Sequence, residues 1–176
     1  MSTTEPWRNP RPAPNLDEVR LRDSLSSPIL SWLRVWWPAL LWAALISVAS
    51  TDYFSWEHTA RFIVPSLRWL FPSMSPENLD SAHHFIRKSA HFVEYFVFFL
   101  LLYRGIRGER RGWHWSWGLI AWFIAAAYSV LDEIHQSFVA SRTASPFDSL
   151  LDSTGALFAL FALFFIYRFF QRASRA

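Results

Sequence analysis

Residues 113–131 read WHWSWGLIAWFIAAAYSVL, nineteen consecutive positions without a formal charge. An α-helix rises about 1.5 Å per residue, so about 20 apolar residues cross the roughly 30 Å hydrocarbon core of a bilayer. This stretch is long enough to span. Just before it, residues 104–112 read RGIRGERRG; just after it, residues 132–136 read DEIHQ. One end of the span is strongly basic and the other is acidic and bears a histidine.

Three further apolar blocks surround it. The first runs from Trp32 to Ser50 and is interrupted only by Arg34. Another covers Phe92–Tyr103, and the last covers Phe147–Tyr167, with Asp148 and Asp152 near its start. The Phe92–Tyr103 block is too short to span alone, but Ser75-Pro76-Glu77 upstream has the pattern of an N-cap followed by proline at the first helical position. The pattern predicts an all-α polytopic membrane protein, with four transmembrane helices in a compact bundle over about 32–50, 76–104, 113–135 and 147–168. The membrane domain is then 29–168, with an outer loop at 51–75 and a short tail at 169–176. Residues 1–28 hold five of the ten prolines and predict a disordered tail, with room for a short helix near Asp17–Ser24. Within the outer loop, WEHTARFIVPSLRWLF at 56–71 reads either as an interfacial helix broken by Pro65 or as an ordered loop over the bundle.

Composition agrees with a bilayer as solvent. Aromatic residues make up 19% of the chain, with 11 Trp, and Trp and Tyr favour the membrane–water interface. There is no cysteine, which excludes disulfides, thiolate metal sites and a thiol nucleophile. The formal charge of +3 does not argue for nucleic acid, because the arginines sit beside the apolar blocks rather than on one stripe. No secretory signal is visible before the first block. With the N-terminus inside, the inner segments carry 12 Lys and Arg and the outer ones 5, namely Arg61, Arg68, Arg87, Lys88 and Arg142. This bias predicts a cytoplasmic-membrane protein with both termini in the cytoplasm.

The second helix carries the unusual load. Counting up from Arg104, Glu94 lies about 15 Å away, His91 about 20 Å, Lys88 about 24 Å and His84 about 30 Å. A lone charge in that half of the bilayer costs at least about 2.5–3.5 kcal/mol, so these groups must face protein or a wet cavity. Partners lie at the same depth: Asp132, Glu133, His135 and Gln136 end the third helix, Asp148 and Asp152 begin the fourth, and Arg142 sits between them. At about 100° per residue, Lys88, His91 and Tyr95 share a face, with Glu94 offset from it. Tyr128, Asp132, His135 and Gln136 share another, and Asp148, Asp152, Gly155, Ala159 and Ala162 a third. Small residues let helices approach closely in lipid, so the third face predicts tight docking of the last helix.

The runs Lys88-Ser-Ala-His91-Phe-Val-Glu94-Tyr95 and Asp132-Glu133-Ile-His135-Gln136-Ser-Phe138, followed by Arg142, Asp148 and Gly155, resemble the two motifs of the VanZ-like family. The resemblance covers about residues 36–167. The chain departs from the family pattern at Arg87, where Asp is common, at Asp152, where Asn is common, and at Ala140-Ser141, where Pro-Gly is common. The founding member of the family is associated with low-level resistance to the glycopeptide teicoplanin. The resemblance thus implies a multi-pass membrane protein acting at the cell envelope.

The candidate binding residues are Lys88, His91, Glu94, Tyr95, Asp132, Glu133, His135, Gln136, Arg142, Asp148 and Asp152. Three readings fit them. They form a structural network that fixes helix register; or Lys88, Arg142 and Arg87 hold the phosphate of a lipid-linked or envelope molecule; or carboxylates and histidines form a metal-dependent or acid/base enzyme site, with Asp132 or Glu133 beside His135 as base and orienter. The sequence names no nucleophile, no cofactor and no H-E-x-x-H metal pattern. The expected partners are the bilayer and a lipid-linked molecule, and a transport path is disfavoured by the small helix number.

Overall fold

The computed structural model describes residues 28–52, 55–139 and 145–173. The expected N-terminal tail with its Asp17–Ser24 helix, the Ala140-Ser141 pair, Arg142 and the last three residues lie outside these. The chain divides into two units, residues 1–34 and 35–176; of the first, only the opening turns of a helix are described.

Among the described residues five helices follow in order: α1 (Pro28–Ala49), α2 (Trp56–Leu70), α3 (Pro76–Arg107), α4 (Trp115–Ser137) and α5 (Pro146–Ala173). No strand occurs among the described residues. Three helices, α1, α4 and α5, are long and apolar enough to cross a membrane, where the sequence had predicted four. The exception is α3. Its 32 residues have the length, but Lys88, His91 and Glu94 lie in its middle and lower its apolarity. The three apolar helices turn large apolar side chains outward, among them Leu41 and Leu45 of α1, Ile120 and Phe123 of α4, and Phe158 and Phe165 of α5. A bundle in water would bury such continuous apolar surface.

Local signals explain the helix ends. Ser75 caps α3 by accepting the Asn78 backbone N–H at 3.3 Å, with Pro76 behind it at the first helical position. At the other end Gly108 adopts φ +55°, a left-handed conformation that favours glycine. In α2, Pro65 does not break the helix, which continues to Leu70. Proline's missing N–H forfeits one backbone bond there, on the exposed side of the helix.

Helix α3 packs most extensively on α5 and then on α4, and α4 also packs on α5. Helices α3 and α5 approach closely at Gly155, where an added Cβ would stand 2.4 Å from the Phe92 carbonyl oxygen. Ala156 and Ala159 are buried beside it. Below this point Tyr95, Phe98, Phe99, Leu102 and Leu160 form an apolar core. Between α4 and α5, Trp122 Nε1 donates to the Ser153 carbonyl at 3.1 Å, and Ser129 Oγ lies 2.9 Å from Ser149 Oγ. Side chains hold α1. Trp42 Nε1 donates to the Glu94 carbonyl at 2.9 Å, Tyr128 Oη donates to the Ala43 carbonyl at 2.8 Å, and Ser47 Oγ lies 2.7 Å from Tyr128 Oη. Arg104 Nη1 donates to the Val35 carbonyl at 3.0 Å at the arginine-rich end.

Candidate functional site

The end of the bundle opposite the arginine-rich turn holds a cavity of about 750 Å³. Helix α3 supplies His84, Arg87, Lys88 and His91 to its wall, α4 supplies Gln136, and α5 supplies Phe147, Asp148 and Leu151; Trp56 of α2 and Ser145 complete it. These helices meet here because α5 docks on α3 through Gly155, which sets the register of the turns above it. In that register Lys88 forms an ion pair with Asp148. One turn deeper, His91 Nδ1 faces Asp152 Oδ1 at 3.5 Å. The spacings 88/91 on α3 and 148/152 on α5 each advance one helical turn, so the pairs stack.

The pairs differ in burial. Lys88 and Asp148 keep 31% and 20% of their side-chain surface, whereas Asp152 keeps none. Among the described residues neither Asp152 oxygen has a hydrogen-bond partner at ordinary distance, His91 Nδ1 at 3.5 Å being its ionisable neighbour, and Tyr95 Oη and His91 Nδ1 are likewise buried without a hydrogen bond. Buried polar groups are nearly always satisfied, so an orphaned carboxylate is a feature that needs explanation.

A second polar group lies behind the cavity wall. Ser50 Oγ and Gln136 Nε2 both donate to Asp132 Oδ2 at 2.8 Å, and Gln136 Nε2 also reaches Ser50 Oγ at 3.2 Å. Glu133 Oε2 accepts the Ser145 backbone N–H at 2.8 Å, just ahead of α5. On the α2 side, Arg87 Nη1 donates to Thr59 Oγ1 at 3.0 Å, and the Arg87 guanidinium lies 5.9 Å from the centre of the Trp56 ring. Thr59 Oγ1 is also 3.1 Å from His83 Nε2.

The residues nominated from sequence therefore divide. Lys88, His91, Gln136 and Asp148 line the cavity, and Asp152 stands directly behind His91. Asp132 and Glu133 are buried at the same end but engage Ser50 and Ser145. Glu94 turns toward α1, lining a crevice with Trp42 and Ala49, and Tyr95 is sealed in the core. His135 is exposed, and the structure does not bring it to the cavity. Residues two apart on a helix point about 160° from each other, so Glu133 and His135 cannot both face inward. Arg142 lies outside the described residues. Sequence reasoning missed Trp56, Ser50 and Ser145. Only Ser145 carried a signal, because it precedes Pro146 as Ser75 precedes Pro76.

Comparison with known proteins decides the family, since residues 35–170 match VanZ/LLP1. The chain belongs to the VanZ/LLP1 family. The match takes in every residue of the cavity wall, and the apolar helices fit a membrane protein of VanZ type. No curated protein and no solved structure matches the chain. Among the described residues of this VanZ/LLP1 protein, no group of three or more His, Asp or Glu side chains is placed to hold a metal ion.

Proposed function

We propose that this VanZ/LLP1 protein crosses the cytoplasmic membrane four times, with α3 as the fourth span. In this reading its cavity opens on the extracytoplasmic side and binds the phosphate-bearing headgroup of a lipid-linked or envelope molecule. The observation that carries the reading is the make-up of the cavity wall. Arg87 and Lys88 outnumber Asp148, so with neutral histidines the lining has a net charge of +1. Trp56, Phe147 and Leu151 give the same wall an apolar side. Cations beside apolar surface suit an amphiphile with a phosphate, and cavities of about 300–1,000 Å³ take ligands of that size.

The span assignment has its own support. At about 1.5 Å per residue α3 is about 48 Å long, more than a bilayer needs. Its lower half is apolar, and its charged upper half is paired with α5. Arginine distribution supports cytoplasmic termini. The family's association with teicoplanin resistance fits a site at this face, because that antibiotic carries a lipid chain and acts at the membrane surface.

A second reading, an acid/base enzyme, is favoured by one geometry. His91 lines the cavity with Asp152 behind it, as a base stands before its orienting carboxylate. One experiment addresses both readings. Protein purified gently from its own membranes is examined by mass spectrometry for retained lipids, beside Lys88→Gln of matched thermal stability. The headgroup reading expects a phosphate-bearing lipid enriched on the native protein and lost from the variant. No enrichment on the native protein overturns it. Enrichment of a lipid together with its hydrolysed form would move the enzyme reading to first place.

A further inference from the structure

Helix α2 presents an outward face that its packing on α3 leaves uncovered. At about 100° per residue, Glu57, Arg61 and Arg68 form one stripe, and Phe62, Pro65 and Trp69 form the stripe next to it. The opposite side, with Trp56, Thr59, Ile63 and Leu67, is half-buried against the bundle. Phe62 and Trp69 are 76% and 80% exposed. In water alone, two large rings at this exposure beside arginines would gain nothing. At a membrane surface the same division, rings on one stripe and cations on the next, is what an interfacial helix needs.

The rest of the molecule places α2 at that level. Thr59 is tied to His83 and Arg87, about 26–31 Å above Arg104 along α3, which is the edge of a hydrocarbon core. Only residues 71–75 return the chain to Pro76, so the end of α2 stays within about 20 Å of the start of α3 and cannot descend through the bilayer. Other exposed rings collect at the same end: Phe85 on α3 and Phe138 after α4. Together with Phe62 and Trp69 they form a girdle of the kind that marks a membrane boundary.

We infer that the outward face of α2 is a docking surface for the leaflet at the cavity end. Phe62 and Trp69 seat among the upper acyl chains, and Arg61 and Arg68 hold phosphates of anionic lipids. The leaflet is the occupant because exposed rings continue onto α3 and the end of α4, and because the cations flank the rings. Since Trp56 at the other side of α2 forms cavity wall, this helix separates the cavity from lipid. The inference rests on the reading of α3 as a span, which sets the membrane level of α2, and stands whether or not the cavity holds a ligand.

The chain has no cysteine, so Phe62→Cys, Trp69→Cys and Asp80→Cys each create a single labelling site. Each of the first two removes one ring and leaves the other, and both positions are exposed, so folding is preserved. The labelled proteins are reconstituted in phosphatidylcholine vesicles, with or without phosphatidylglycerol. Nitroxide collision is measured with oxygen, which concentrates in lipid, and with a nickel chelate, which stays in water on both sides. At positions 62 and 69 nickel collision should be several-fold lower than at 80, and oxygen collision higher. Phosphatidylglycerol should deepen the contrast, and an added Arg61→Gln, Arg68→Gln pair should remove that deepening. Nickel collision equal to that at 80 overturns the inference. So does shielding from both colliders, which would assign the face to a second copy of the chain.

Discussion

Gly155→Ala puts the register of the whole cavity to the test. A Cβ at Gly155 would stand 2.4 Å from the Phe92 carbonyl oxygen, 3.1 Å from its carbon and 3.2 Å from its Cα. All three are backbone atoms, so no rotamer change relieves the contact. Restoring ordinary van der Waals distance requires α3 and α5 to separate by about 1 Å. Overpacking of this kind costs about 1–3 kcal/mol, and a rigid backbone contact belongs at the upper end. Alanine in place of a mid-helix glycine returns about 1 kcal/mol. The net expectation is a loss of about 2 kcal/mol. Gly118→Ala is the control, because a Cβ there meets only Leu160 at 3.5 Å and Trp113 at 3.7 Å, which is ordinary contact. That variant should gain about 1 kcal/mol. Equilibrium unfolding in mixed micelles, titrated with dodecyl sulfate, measures both. Phe92 adjoins His91, and Gly155 lies one turn from Asp152, so Gly155→Ala should also weaken lipid retention. If Gly155→Ala is no less stable than Gly118→Ala, the close approach of α3 and α5 is wrong, and with it the pairing of Lys88 and His91.

Two other outcomes are expected. With α3 as a span, a membrane-impermeant maleimide should label Ser81→Cys on intact cells and Glu109→Cys only after permeabilisation; equal access to both means α3 does not cross, and the reverse pattern means the orientation is inverted. Asp152→Asn should be at least as thermally stable as the native protein, because it removes the charge of a buried carboxylate that has no donor; a structural ion pair with His91 would instead make the change cost about 3–5 kcal/mol.

The sequence revealed helices wherever the bilayer wrote the pattern. The apolar blocks of α1, α4 and α5 are legible because a span must be apolar all along, and Ser75-Pro76 marked the start of α3 through cap chemistry. Boundaries drifted where no stop signal exists: α5 continues to Ala173 because YRFFQRA contains neither glycine nor proline. Helix α2 was half legible, since Pro65 reads as a break although one missing donor on an exposed side is tolerated. Within the site, residue types and their gathering at one end of the bundle were readable, but partners were not. Helical angles group Lys88 with His91 and Asp148 with Asp152, yet nothing in the order of residues says that these two faces meet. The register comes from Gly155 against the Phe92 backbone, a contact between distant parts of the chain. His135 was misplaced for a related reason. The buried arc of α4 runs from Tyr128 and Asp132 through Gln136 to Glu133, leaving His135 just beyond its edge.

The polar residues at the cavity end are held in two contrasting ways. Asp132 accepts two donors on one oxygen, from Ser50 just past the end of α1 and from Gln136 of its own helix, and so ties the end of α1 to α4. That is what a device for fixing register requires. Asp152 is as deeply buried, yet among the described residues neither oxygen is hydrogen-bonded and its neighbour His91 stands at 3.5 Å. A carboxylate in that state opposes folding, and an apolar residue of similar volume would pack between α3 and α5 at lower cost. A purely structural network therefore accounts for Asp132 and leaves Asp152 unexplained. Asp152 has one direct consequence in the geometry: it faces the ring nitrogen of the only histidine that lies one turn below Lys88 on the cavity wall. The two carboxylates of this end are thus held differently, Asp132 by Ser50 and Gln136 and Asp152 against His91.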